Sequence, residues 1–151
     1  MDTLILDNII KVYPESAVIM EMAKMVWGGS TTHEKINFPV SNKLKVELQQ
    51  LLGKDIQNIF ITDSDVRHIK KKHGQSEAKR GQIDITPADF IFIPFVLNEF
   101  DTVEHTETDV KGNKKLLFTK KINGTIYTIS IERGNNQIGV ITLWKNARTG
   151  A

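Results

Sequence analysis

A chain of 151 residues, 40% hydrophobic and 25% charged, has the size and composition of one soluble globular domain. This excludes a disordered chain, a collagen-like repeat and a polar tail. No apolar run approaches the ~18 residues of a transmembrane helix, and with no cysteine there is neither a disulfide framework nor thiolate chemistry.

The front third reads helical. Leu4, Leu6, Ile9, Ile10 and Val12 predict a short helix that Pro14 interrupts. A second, very apolar helix is expected from Glu15 to Trp27, stopped by Gly28-Gly29. Residues 28–37, with His33, read as a polar loop. Ser41 is placed to cap a third helix, with Leu44, Leu48, Leu51 and Leu52 on one face and Gly53 at its end. Ile56 to Ile61 is a short extended stretch. Thr62-Asp63-Ser64-Asp65 has the form of a capping box, and Ile61 and Val66 sit where a hydrophobic staple would put them. That helix should run to about His73 and stop at Gly74. Thr86-Pro87-Ala88-Asp89 repeats the cap logic. Pro94 disfavours a helical Ile93, so two short turns of helix are expected there.

From Thr102 the hydrophobic period becomes two. Four strands are predicted, over 102–108, 115–122, 125–133 and 137–145, joined at Gly112-Asn113, Asn123-Gly124 and Gly134-Asn135-Asn136. The fold class is α+β: N-terminal helices followed by a four-stranded antiparallel sheet. The two-residue loop at Asn123-Gly124 sets Ile122 opposite Thr125, Lys121 opposite Ile126 and Lys120 opposite Tyr127. Leu116, Phe118, Tyr127, Ile129 and Ile131 then face the helices. Leu117, Thr119, Lys121, Ile126, Thr128 and Ser130 form the open, more polar face. In the last strand, Ile141 and Leu143 are expected on the core face and Val140, Thr142 and Trp144 on the open one, unless a bulge flips part of the strand.

Twenty Lys and Arg against eighteen Asp and Glu leave a formal charge of only +2, but the charges are segregated. Residues 67–80 carry +5, residues 84–109 carry −7 with no Lys or Arg, and residues 111–151 carry +7. Brought together, the two basic segments would make a local positive field suited to a polyanion; taken singly, each reads as a solvated face.

His68 and His73 stand out for chemistry. Five residues apart on a helix, they diverge by roughly 140° and cannot share one metal from one face. No HExxH motif, Gly-rich phosphate loop, GxSxG elbow or carboxylate dyad accompanies them, so neither a metal nor a cofactor is expected. A lone His among lysines is more often a solvated surface residue, and His73 doubles as a cation at a helix C-terminus. His105 and His33 read as surface residues. Metal-free cleavage of RNA through the 2′-OH needs a base, an acid and groups that hold the phosphoryl oxygens. The His- and Lys-rich helix and the polar sheet face, with Thr119, Lys121, Thr128, Ser130, Thr142 and Trp144, could supply them. Trp144 could stack on an exposed base, or it is an ordinary strand aromatic.

The segments Asp65-Val66-Arg67-His68-Ile69-Lys70-Lys71-Lys72-His73-Gly74, Ile83 to Asp101, Lys120-Lys121 and Ile141-Thr142-Leu143-Trp144-Lys145 resemble the phage- and toxin-associated nucleases of the Barnase–EndoU–colicin–RelE-like superfamily. The resemblance covers roughly residues 57–147. It implies N-terminal helices before a four-stranded antiparallel sheet and metal-independent RNA cleavage, often of tRNA, by a toxin-like effector of a phage or mobile element. It implies His68 as leading acid or base and Thr142 as a phosphate contact, with Lys121 as the electrostatic element and His73 as a second catalytic position. Arg67, Lys71, Lys72, Trp144 and Lys145 are the expected RNA contacts. Asn98-Glu99-Phe100-Asp101 departs from the Asn-Pro-Asp-like corner often found before the first strand. Residues 1–56 are expected to be a helical portion packed on, or extending, a nuclease core of residues 57–151. Expected partners are RNA and an immunity or antitoxin protein, with no membrane. Met1-Asp2-Thr3 lacks the positive start of a secretory signal, so the expected setting is a cytoplasm, the cell's own or a target cell's. A non-catalytic RNA-binding or interaction module on the same fold is the rival reading.

Overall fold

The computed structural model describes residues 3–108, 114–133 and 138–147. Along the chain come α1 (Thr3–Val12), α2 (Glu15–Trp27), β1 (Lys35–Pro39), α3 (Asn42–Leu52), β2 (Asn58–Thr62) and α4 (Asp63–His73). Two 3-10 turns (Glu77–Arg80 and Pro87–Phe92), α5 (Ile93–Asn98) and β3 (Thr102–Thr108), β4 (Lys114–Ile122), β5 (Thr125–Arg133) and β6 (Ile138–Ala147) follow. The class is α+β, but the sheet is not the expected four-stranded antiparallel one. It has six strands in the order β1-β2-β6-β5-β4-β3, and β2 runs parallel to β6. The four C-terminal strands form the expected meander. The addition is a hairpin-like pair, β1 antiparallel to β2, inserted among the helices.

Most local signals work as chemistry requires. The Ser41 hydroxyl accepts from the Leu44 N–H at 3.2 Å, and Gly53 closes α3 in the left-handed region at φ 70. Thr62 and Asp65 form the reciprocal capping box of α4. Thr86 and Asp89 form another at the Pro87–Phe92 turn. Ile93 is nevertheless helical, as the link from that turn into α5, with Pro94 accommodated in the first turn of α5. The Asn98–Asp101 corner also has work to do. Buried Asn98 accepts from the Ser41 N–H at 2.7 Å, and Asp101 accepts from the Lys121 N–H at 2.9 Å.

The hairpin register is the expected one, from Ile122↔Thr125 to Lys115↔Glu132. Between β5 and β6 a bulge leaves Ile141 as the extra residue, since Ser130 pairs with Thr142 and Ile131 with Val140. Val140 is therefore fully buried on the core side and Ile141 half-buried, the reverse of strict alternation. The Gly112-Asn113 and Gly134-Asn135-Asn136 connections lie outside the described residues. The helices and the core face of the sheet close one apolar cluster. Ile19, Met22 and Ala23 of α2 join Phe38 of β1, Val66 and Ile69 of α4, Phe90, and Phe118, Ile129 and Leu143 of the meander. Residues before 57 thus supply part of that core and one edge strand.

Two contacts hold the inserted pair. At Phe60↔Gly139, a Cβ on Gly139 would lie 2.7 Å from the Phe60 ring, so glycine lets the ring cross the strand. Asp63, nearly buried, accepts from the Glu34 N–H at 2.8 Å and pairs with Arg67, which ties the entry of β1 to the start of α4. Burial opposes the Asp63 charge, but the Glu34 N–H and the Arg67 guanidinium outweigh it and hold its carboxyl below the ordinary range.

Gly139→Ala should cost about 1–3 kcal/mol by overpacking, although glycine-to-alanine in a strand is otherwise favourable. Urea melts should show that Phe60→Leu relieves most of this loss in the double mutant. Because the Asp63 pKa is lowered on folding, its contribution is complete above the unfolded value of about 3.9. It is lost as pH falls through the lower folded value. The melting-temperature gap between wild type and Asp63→Asn should therefore be full near neutrality and close in acid; a gap that is independent of pH would refute the assignment.

Candidate active site

The site is built where α4 ends against the second half of β6. The His73 carbonyl accepts from the Ile85 N–H at 2.8 Å. The Ile83 N–H donates to the Lys145 carbonyl at 2.9 Å, an isolated antiparallel bridge. Residues 83–85 thus stitch the helix end to the strand. Extending that register places Gln82 opposite Asn146 and Asp84 opposite Trp144.

On the face away from the core, strand pairing sets two rows. Thr142 lies beside Ser130 and then Leu117, and Trp144 lies beside Thr128 and then Thr119. This face is less open than its polarity suggests, since Ser130 is 1% exposed and Thr128 7%. The Ser130 and Thr142 hydroxyl oxygens are buried with no hydrogen-bond partner, as are the side-chain oxygens of Asn146 and Gln82. Such groups cost about 1–3 kcal/mol each when unsatisfied, and four of them lie on or beside one sheet face, beneath its surface.

His73 reaches this surface. Its ring lies 5.7 Å from the Trp144 ring at 33°, and its side chain is only 12% exposed. Its Nδ1 is 3.1 Å from Glu77 Oε2. Glu77 is itself buried and accepts through its other oxygen from no group, with Arg80 Nη1 at 3.9 Å. The Glu77 N–H donates to Asp84 Oδ1 at 3.0 Å.

The other expected site residues fall elsewhere. His68 is exposed on α4, about 140° around the helix from His73. Lys71 and Lys72 are exposed beside it. Arg67, Lys70, Lys71, Gly74 and Gln75 line a basic groove of about 370 Å³; in it Arg67 is engaged by Asp63, and the Lys70 ammonium sits over the Trp27 ring. Lys121 shares the face of Thr142, but two strands and four residues separate them, roughly 16 Å by strand spacing. One phosphoryl group cannot touch both. Lys145 projects to the core side, opposite Tyr127. Its ammonium holds Asp89 at 2.9 and 3.0 Å, and Asp89 also accepts from the Tyr127 hydroxyl at 2.7 Å. Burial and the Asp89 carboxylate push the Tyr127 pKa up. Lys145 is thus a structural cation, as alternation alone would indicate once Trp144 is on the other face. Sequence reasoning missed Glu77, Gln82 and Asn146. The available signal was Glu77 as the lone acid of a +5 segment, four residues after His73.

Among the described residues no three His, Asp or Glu side chains are grouped as metal ligands, and no helix is long and apolar enough to cross a membrane. No curated protein and no solved structure matches the chain. The family model described as phage-Barnase-EndoU-ColicinE5/D-RelE like nuclease 3 matches residues 39–150, from the end of β1 through the whole meander and well before the residue 57 at which the resemblance was drawn. With the match spanning more than two thirds of the sequence, the chain belongs to this nuclease family, and its substrate class is nucleic acid.

Proposed function

We propose that the protein is a metal-independent endoribonuclease that cleaves by attack of a 2′-OH on the adjacent phosphorus. The observation that carries this reading is the placement of His73 against Trp144, beside the unpaired Ser130 and Thr142 hydroxyls. In the step, a base takes the 2′-OH proton, the O2′–P bond forms, the P–O5′ bond breaks and O5′ receives a proton. His73 is the proton carrier, since an imidazole accepts a proton at one ring nitrogen and donates from the other. Thr142 donates to a phosphoryl oxygen as charge builds on it, with Ser130 beside it in the sheet. Trp144 offers a stacking surface for an unpaired base.

The exposed α4 residues His68, Lys71 and Lys72, with the adjoining groove, hold the RNA backbone. Proton transfer thus moves from His68 to His73, because only His73 lies against the strand that carries Thr142. Lys121, at the far end of the same face, is a flanking phosphate contact. The family resemblance supports tRNA as substrate, a toxin-like role for a phage or mobile element, action in a cytoplasm and an inhibitor protein as partner.

Total RNA incubated in EDTA tests the reading. Cleavage should persist and leave 2′,3′-cyclic phosphate and 5′-OH ends. His73→Ala should lose about 10²–10⁴ in rate, Thr142→Val up to about 10², and His68→Ala little. Activity that vanishes in EDTA and returns with a divalent ion would sink the mechanism. Loss with His68→Ala but not His73→Ala would return the proton to His68. RNA binding without cleavage by the wild type would favour the non-catalytic module. In a separate binding measurement, Lys71→Glu/Lys72→Glu should flatten the slope of log affinity against log salt by roughly 1.4, at about 0.7 per phosphate contact on a single strand.

A further inference from the structure

We propose that Glu77 is the positioning residue of His73: its carboxylate holds the Nδ1 proton, so that the other ring nitrogen, Nε2, is the one that exchanges protons with RNA. The proposal rests on the reading of His73 as proton carrier.

The geometry is specific. Glu77 Oε2 lies 3.1 Å from Nδ1. An ionised carboxylate can only accept, so the hydrogen bond requires a proton on Nδ1. In the neutral ring Nε2 is then unprotonated and basic. The opposite tautomer would place a lone pair against the carboxylate. Trp144 lies against the ring, so the imidazole has both a hydrogen-bond partner at Nδ1 and an aromatic neighbour.

The chain goes to some trouble to put Glu77 there. A helix does not continue from His73 to Glu77; Gly74 ends α4, and Ser76 adopts a left-handed conformation at φ 60, which is unfavourable for a residue with a Cβ. Gly81, at φ 71, closes the 3-10 turn on its other side. Asp84 fixes the Glu77 N–H. The outcome is a carboxylate 1% exposed whose second oxygen accepts no hydrogen bond. A turn stabilised only for its own sake would leave such a residue in solvent or replace it with an apolar one. The surrounding charges are Arg80, which faces Glu77 from the same turn, Asp84 from the stitching segment, and Lys70 and Lys72 on α4. On β6 the nearest cation, Lys145, is directed to the other face by Asp89. Glu77 is therefore the charged group in direct contact with His73.

Side-chain nitrogen NMR of the wild type reads this directly. Neutral His73 should be the Nδ1-protonated tautomer. A predominantly Nε2-protonated ring would overturn the proposal, whatever any variant does. Glu77→Gln keeps the shape and removes the charge. It should weaken the preference for the Nδ1-protonated tautomer, alter the shape of the pH–rate profile, and reduce kcat by about 10² with KM little changed. A purely structural Glu77 would lower the melting temperature but leave tautomer and pH–rate profile in place, which would refute the proposal. The two readings fail separately. His73→Ala with normal cleavage removes the proton-carrier reading, and the dependent rate effect with it. An inactive His73→Ala beside a Glu77→Gln with unchanged rate, profile and tautomer removes only the role of Glu77.

Discussion

Strand β6 has β5 along its length on one side, but on the other it meets β2 only around Phe60 and Gly139. Beyond that point its edge is free to bond to something else, and the Ile83 N–H takes it. This partial pairing makes room for the 83–85 segment, and with it the end of α4, beside Trp144. Were β2 to follow β6 to its end, the 83–85 segment would have no strand to bond and the end of α4 would lie away from Trp144. The glycine at 139 matters because it allows close approach at that one place, with the ring of Phe60 lying where a side chain would otherwise be.

Local signals in the sequence were reliable wherever a single short-range interaction decides the conformation. Thr62 with Asp65, Ser41 with Leu44 and the Asn123-Gly124 turn each involve residues within four positions of one another, and the structure follows them. Apart from Ile93, helical before Pro94, the readings that failed depend on distant partners. The expected loop of residues 28–37 runs into β1 at Lys35: Ile36 and Phe38 alternate with polar neighbours over a segment too short to stand out from loop, and it becomes a strand because Ile61 and Ile59 of β2 lie alongside. The bulge at Ile141 is a property of two strands together. Of the site, the residue types were legible and the groupings only in part. Thr142, Trp144 and Lys121 share a face, as alternation requires, but the distance along the strands separates Lys121. His73 and His68 could not be ranked until the course of the chain after Gly74 was known.

The basic character of α4 serves two physical ends. Asp63 and Asp65 in its first turn and Lys70, Lys71, Lys72 and His73 in its last oppose the helix dipole, so the charge pattern stabilises the helix before any ligand is considered. Some of these cations are already committed inside the protein, Arg67 to Asp63 and Lys70 to the face of Trp27. Counting basic residues overstates the field available to a polyanion; the part of α4 that faces outward is shorter than its composition implies.

The order in which these parts can come together has a kinetic corollary. The β4–β5 hairpin and the β5–β6 pair join neighbouring stretches of chain and close short loops, which is the inexpensive kind of contact to form. His73 and Trp144 are 71 positions apart, so their meeting closes a far longer loop. The charged helix and the meander can each take shape before the two rings meet, and the last thing folding completes is the seam between them.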